Sequence, residues 1–363
     1  MQRRQFVRKG ATAGMAGILA SGTAPAIAQT LPEVRWRMTS SFPKSLDTLW
    51  GAAEGVSKRV SELTSGRFKI TNFAAGEIVP GLQVLDAVQA GTVEAGQTAM
   101  YYYFGKNPAF AFATCIPFGP NTRQQQAWWY QGGGEQMYNE FLKPYDCVAI
   151  AYGNTGTQMG GWFRKEINTP DDLKGLKFRV GGVAGTVLTR LGVVPQQIAG
   201  GDIYPSLERG TIDAAEWIGP HDDERLGFSK VAKFYYTPGW WEGNSMGHMI
   251  VNAKTWAALP KEYQAAYQAA CAETNIVTMA KYDHLNPIAI KRLVGSGTTL
   301  KVFPRPVLEA CYKASREQYA EWSDKVPEFK KMYEAYSKYH LDQVAWFKVA
   351  EDTYDGFINN IKV

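Results

Sequence analysis

An α/β fold of two lobes is what this chain predicts, on three observations. The chain opens with a strand, a helix and a second strand. A helix, glycine and strand unit near residue 90 recurs 119 positions later. The length, 363 residues, exceeds what one hydrophobic core usually serves.

The N-terminus sets the compartment. MQRRQFVRKG carries Arg3 and Arg4 followed by Phe6, Val7 and Lys9, then a short segment of small residues, then APAIA with Ala26 and Ala28 at the two cleavage positions. Residues 1–28 therefore read as a twin-arginine signal peptide, which implies export to the periplasm. The segment is too short and too weakly apolar for a membrane anchor, which needs roughly 20 apolar residues. Removing it takes four of the 39 basic residues and none of the 34 acidic ones, so 35 and 34 remain. That near-neutral balance, with no block of like charges, gives no sign of a nucleic-acid partner. Cys115, Cys147, Cys271 and Cys311 are widely spaced without a CxxC, so structural disulfides and buried free thiols both stay open.

The elements follow in order. VRWRMTSSF, 34–42, is a strand with a polar end. The helix after it repeats Leu46, Leu49, Ala53, Val56, Val60 and Leu63 at helical spacing until Gly66, and FKITNF is the second strand. Such a strand, helix and strand series is a βαβ unit. AVQAGTVEAGQ, 87–97, matches SLERGTIDAAE, 206–216, at three of eleven positions and conservatively elsewhere. Each copy reads as a helix stopped by glycine at C′ and followed by a short buried strand, one copy per lobe. CVAIAYG, LKGLKFRVGG and SMGHMIVN are further strands, and NTPDDLKG is a turn with a short helix. From residue 261 the pattern is largely helical, and Val344, Phe347, Ala350, Tyr354 and Phe357 form an apolar stripe on the terminal helix. The stripe suits packing on its own chain or on a second subunit.

Ligands of open α/β sheets bind beyond the carboxyl ends of strands. The residues there are Tyr101, Tyr102 and Tyr103, then Asn154 and Gln158, Arg179, Glu216 and Trp217, and Trp240, Trp241 and Glu242. Arg179 is either a sheet-capping ion-pair partner or a bidentate grip for a carboxylate. Glu216 and Glu242 are either exposed acids or site residues, and the tyrosines either core or the dry wall of a small-molecule cleft. RVGGVAGTVLTRLG suits a helix start that receives an anion. GNSMG, 243–247, matches GxSxG but precedes a strand, the wrong context for a nucleophile. His221, His248, His284 and His340 show no metal spacing.

INTPDDLKGLKFRV and LTRLGVVPQQIAGGDIYPSLERGTIDAAEW resemble the central signature of the extracytoplasmic solute receptors of TRAP transporters, the DctP-type family. The likeness covers the mature chain and is greatest to the receptors for 2-oxo acids such as pyruvate. It implies a two-lobed periplasmic binding protein with discontinuous lobes, hinge strands and a long C-terminal helix. It implies a receptor, not an enzyme, that takes a small carboxylate together with a metal cation, Na+ or Ca2+, and hands the ligand to membrane permease subunits. By the same resemblance Arg179 grips the ligand carboxylate, and Tyr101, Tyr102 and Tyr103 contact the ligand. Gln158, Glu216, Glu242 and the backbone carbonyl of Trp217 hold the cation. A carboxylate enclosed beside an acidic ligand would repel it and be costly to bury, so a cation between the two accounts for Glu216. A homodimer through the C-terminal helix is implied as well. The alternatives are a receptor of the same fold for lactate or a dicarboxylate, and an exported metal-dependent enzyme with Glu216 or Glu242 as base.

The expected boundaries are 1–28 for the signal peptide, 29–152 and 153–239 for the first parts of lobes I and II, 240–330 for crossing strands and helices that complete both, and 331–363 for the C-terminal helix. Sodium and calcium, both served by oxygen ligands, are not separated by residue type.

Overall fold

A computed structural model describes residues 31–361; the signal peptide expected at 1–28 lies outside them. Eleven strands run in chain order through this region. They are β1 (Val34–Ser40), β2 (Phe68–Phe73), β3 (Ala95–Thr98), β4 (Cys147–Asn154), β5 (Gly161–Phe163), β6 (Lys177–Arg179), β7 (Val194–Gln196), β8 (Ala214–Ala215), β9 (Phe234–Thr237), β10 (Met246–Asn252) and β11 (Thr299–Val302). They make two sheets, a five-stranded one ordered β2-β1-β3-β10-β4 and a six-stranded one ordered β11-β9-β5-β8-β6-β7.

The opening forms as its pattern requires. β1 and β2 pair in parallel from Val34↔Phe68, joined by the helix Leu49–Leu63, whose Ala53, Val56 and Val60 are fully buried. Leu63 falls off the buried stripe and is 43% exposed at the helix end. Gly66 then turns the chain at φ 75°, with its N–H on the Ser61 carbonyl.

The internal echo is one motif built twice. After the helix Val84–Gln89, Gly91 donates to the Val88 carbonyl at 3.0 Å and Thr92 to the Ala87 carbonyl at 2.9 Å. After the helix Gly200–Glu208, Gly210 donates to Leu207 and Thr211 to Ser206, both at 3.0 Å. Both are Schellman ends with glycine at positive φ, 69° and 72°, where a Cβ would be strained. One leads into β3 of the first sheet and the other into β8 of the second. The upstream segments differ: 74–81 is a run of turns, whereas 199–206 enters the helix Gly200–Glu208.

The sheets are mixed, not purely doubly wound, because β10 inserts antiparallel between β3 and β4 and β5 runs antiparallel to β8 and β9. Among the described residues the chain passes between the sheets three times: from β4 to β5, from β9 to β10, and from β10 to β11 through the helix Lys261–Gly295. That helix of 35 residues is about 52 Å long at 1.5 Å per residue. Tyr263 and Tyr267 stack on Phe68 at 5.7 and 6.3 Å, which anchors its first turns to the first sheet.

The C-terminus is three helices, Arg305–Lys325, Pro327–Val349 and Glu351–Asn360. Pro327 starts the second, where its missing N–H costs nothing. Phe329 and Tyr336 bury against Phe112, and Phe347 lies beneath Arg123. Tyr354 and Phe357 are about two-thirds exposed, at 66% and 65%, so the stripe divides between own-chain packing and open surface. All four cysteines are free and buried.

Candidate functional site

The two strand crossovers hold each other. In segment 155–160, Thr155 donates its N–H to the Ser245 carbonyl and Gln158 to the Glu242 carbonyl, each at 3.1 Å, while Gly239 donates to the Gln158 carbonyl at 3.0 Å. A Cβ on Gly239 would stand 2.6 Å from the carbonyl oxygens of Gln158 and Met159, so only glycine permits this approach. Asn154 Nδ2 donates to Asn244 Oδ1 at 3.0 Å. The hydrogen bonds thus place Gln158 and Glu242 side by side where the chain changes sheets.

Arg179 ends β6 and Glu216 follows β8, adjacent parallel strands. Their side chains are 1% and 0% exposed. Arg179 Nη1 donates to Glu216 Oε1 at 2.5 Å and to the Glu216 carbonyl at 2.6 Å, and Nε donates to the Ile198 carbonyl at 3.0 Å. The N–H of Gly181, at the N-terminus of the helix Gly182–Thr189, donates to the same Oε1 at 2.7 Å. The anion that this helix start receives is therefore the chain's own Glu216, a favourable placement for negative charge. The guanidinium also lies 5.0 Å from the Trp217 ring.

What remains unpaired in this cluster is chemically sorted. Oε1 of Gln158, Oε2 of Glu216 and Oε2 of Glu242 are buried oxygens with no hydrogen-bond partner, and Nη2 of Arg179 and Nε1 of Trp217 are buried donors with none. Orphaned buried polar atoms cost about 1–3 kcal/mol each, more when charged, so such a set calls for a guest. Three oxygens and no nitrogen or sulfur suit a hard cation such as sodium or calcium. The free guanidinium nitrogen suits a carboxylate. Among the described residues no group of three or more His, Cys, Asp or Glu could hold a metal, so a cation here needs the Gln158 amide and a backbone carbonyl beside the two acids.

Charge balance supports the same assignment. Burial pushes the Glu216 carboxyl up, and Arg179 and the Gly181 N–H pull it back. Glu242 is held well above the usual carboxylate range by burial and then by the Glu216 charge, against weaker relief from Ser245, Arg179 and Tyr101. Of the two, Glu242 is raised the further, because Glu216 has the Arg179 guanidinium and the Gly181 N–H to hold its charge.

Tyr101, Tyr102, Gln158 and Trp217 line a cavity of about 30 Å³, with Phe42, Leu49 and Tyr152 completing its apolar side. Arg179, Glu216 and Glu242 are off this wall, with the Arg179 guanidinium against the Trp217 ring. Tyr101 and Tyr102 stack at 5.0 Å, and Gly181 and Gly182 lie against the Tyr101 ring. A Cβ on Gly182 would fall 1.9 Å from it, at φ +58°. Burial pushes the Tyr102 hydroxyl up to about 12, so both rings present neutral phenols. Tyr103 is placed elsewhere: its hydroxyl accepts from the Leu85 N–H at 3.1 Å and contacts Thr98 Oγ1 at 2.9 Å. Trp240 stacks on Phe118, and Asn154 lines the cavity. Ser245 of GNSMG lies in the second crossover, where its carbonyl accepts from Thr155.

Sequence reasoning missed Tyr152, Phe42 and Leu49. Tyr152 is fully buried, with an unpartnered hydroxyl. Its place near the carboxyl end of the strand read from CVAIAYG was the available signal. His248 is also buried, against Trp129, and burial pushes its pKa down to about 3, so it is a neutral core residue.

Comparison with known proteins shows the family to which this fold belongs. The chain is 49% identical, over 99% of its length and 100% of the relative's, to a monocarboxylate 2-oxoacid-binding periplasmic protein from Nostoc sp.. A TRAP transporter solute-binding protein from Bordetella bronchiseptica shares 51% identity with a TM-score of 0.89, covering 90% of this chain and 97% of that one. It is a mixed-occupancy dimer with copurified calcium and picolinate in one active site and the other apo. A TRAP periplasmic solute-binding protein from Pseudoalteromonas atlantica, with bound sodium and pyruvate, shares 36% identity with a TM-score of 0.87, covering 91% and 100%. The model of family 7 of the bacterial extracellular solute-binding proteins matches residues 39–325, and the chain belongs to that family, the DctP family.

Proposed function

We propose that this TRAP solute-binding receptor captures a small 2-oxo monocarboxylate of the size of pyruvate together with Na+ or Ca2+, and delivers it to the membrane permease. The observation that carries the reading is that neighbouring buried side chains, Gln158, Glu216, Glu242 and Arg179, leave three oxygens and one guanidinium nitrogen unpaired. Glu216, Glu242, Gln158 and the Trp217 carbonyl would hold the cation, which when bound offsets the two carboxylates. Arg179 would use Nη1 to keep Glu216 and Nη2 to grip the ligand carboxylate. Tyr101, Tyr102 and Trp217 exclude water, which strengthens these charges. Tyr103 supports Tyr101 and Tyr102 from the core.

Recognition in this reading involves no covalent step: the ligand favours the closed form by the contacts it makes only there. The lobes divide at about 152 and 239, so that Gln158 and Glu242 fall in the hinge segments, with 240–330 completing both lobes and 331–363 as the C-terminal element. The apolar residues left open on that element, Trp346, Tyr354 and Phe357, support a homodimer through it. The twin-arginine pattern of 1–28 supports export to the periplasm.

A thermal-shift panel of pyruvate, lactate, succinate and picolinate, each with sodium, calcium or choline, tests the reading. Stabilisation by pyruvate that requires sodium or calcium is expected. A dicarboxylate preference would displace the ligand, and sustained pyruvate consumption by purified protein would sink the receptor reading.

A further inference from the structure

Two consecutive acids outside the ligand cluster, Asp222 and Asp223, are almost wholly buried and face opposite ways. They lie on the helix Pro220–Leu226, which follows β8. Asp223 ties that helix to the second sheet: its Oδ2 accepts from Trp162 Nε1 at 3.0 Å and from the Tyr235 hydroxyl at 2.6 Å. Asp222 instead reaches to the other side. Its Oδ1 accepts from Thr48 Oγ1 and its Oδ2 from the Tyr282 hydroxyl on the long helix, both at 2.7 Å.

Thr48 belongs to segment 41–48, which is fastened to the first sheet. Ser41 donates its N–H to Gln97 at 2.8 Å and its hydroxyl to Thr98 at 2.7 Å, and Phe42 accepts from Ala75 at 3.2 Å. Beside Thr48, Asp47 collects three basic groups: His221 at 2.9 Å, Arg225 at 3.3 Å and Lys281 at 2.9 Å. Arg225 Nε also donates to the Ser45 carbonyl at 2.8 Å. Thr48, Asp222, Tyr282, Asp47, His221, Arg225 and Lys281 are all off the wall of the cavity. A buried, fully bonded centre with a charged rim therefore spans the segment after β1 and the helix after β8, on the side of each sheet where the ligand binds.

We infer that Thr48–Asp222 and the Asp47–His221–Arg225–Lys281 cluster form a latch that is made only when the two sheets close, and that sets ligand residence time without touching the ligand. The centre matters more than the rim, because a hydrogen bond to a buried carboxylate is worth more than a screened, half-exposed ion pair. Opening frees Asp47 and Asp222 to hydrate, so the latch biases the closed state without locking it.

This rests on the receptor reading, and the test separates the two. Thr48→Val and Asp47→Asn are compared with wild type by stopped-flow tryptophan fluorescence, with pyruvate and sodium first and picolinate and calcium second. Ligand-free unfolding is measured in parallel. Dissociation should quicken about 10-fold in Thr48→Val and about 3-fold in Asp47→Asn, with association within about 2-fold of wild type. Raising ionic strength with choline chloride should speed release from wild type more than from Asp47→Asn. Ligand-free unfolding midpoints should stay unchanged. Release at the wild-type rate overturns the latch, as does a ligand-free loss of stability equal to the loss in the bound form, which would make the contact part of the resting fold. Failure of the ligand reading shows differently, as a wild type silent to pyruvate.

Discussion

Glu216→Gln and Glu242→Gln remove the same atoms from the same cluster, and the structure assigns them different consequences. Glu216 Oε1 accepts from Arg179 Nη1 and the Gly181 N–H. Neutralising it leaves a fully buried guanidinium without its counter-charge, a loss of about 3–5 kcal/mol from a total of about 5–15. Glu242 has no cation of its own, and burial and the Glu216 charge hold its proton on. Glutamine there replaces one neutral group by another, at about 1 kcal/mol or less. Urea unfolding of ligand-free protein at pH 7, with chelator and choline salts, should lower the Glu216→Gln midpoint by about 1 M or more at an m-value near 3 kcal/mol/M. The Glu242→Gln midpoint should not fall, and should rise by what the wild type loses at pH 7 when Glu242 ionises in the unfolded chain.

The pH dependence has a definite sign. The folded-state pKa of Glu242 lies above its unfolded value, so its contribution is fully present below the unfolded pKa and lost as pH rises through the raised one. Wild type should therefore lose ligand-free stability over that rise, and Glu242→Gln should lose less. Both variants should bind pyruvate poorly even with sodium or calcium. Equal destabilisation by the two, or a larger loss at Glu242, would refute the charge assignment.

Arg179→Lys keeps the charge but forfeits the fork that serves Glu216, Ile198 and the ligand at once; calorimetry should show pyruvate affinity down about 100-fold. Gly182→Ala drives a methyl into the Tyr101 ring at a positive φ and should weaken binding about 10-fold or more, read by the same titration. Asp223 is pushed up to about 7, chiefly by burial. Its stabilisation is fully present below the unfolded pKa of 3.8 and lost as pH rises to about 7, so Asp223→Asn should flatten the stability profile over that rise, as measured by unfolding across pH 4 to 8. Tyr354→Ser with Phe357→Ser should leave the fold intact and shift sedimentation toward monomer if these exposed rings form the interface.

Local chemistry made much of this protein legible from its sequence. The βαβ opening, the paired helix and glycine ends at Gly91 and Gly210, the strand ends bearing Arg179 and Glu216, and the turn before β10 that carries Glu242 all follow from periodicity and turn residues. Those signals act over a few positions and survive any tertiary context. Partners distant in the chain were not legible that way. The antiparallel insertion of β10 depends on pairing with strands far away in the chain, and the turning away of Tyr103 on its contacts with Leu85 and Thr98. The division of the Arg179 guanidinium between Glu216, the Ile198 carbonyl and an unpaired Nη2 is likewise set by the folded neighbourhood and not by local pattern. Residue types marked the cluster as carboxylate and cation chemistry. Only the tertiary structure decided which oxygens are already satisfied, because that depends on burial and on neighbours the folded chain alone brings together.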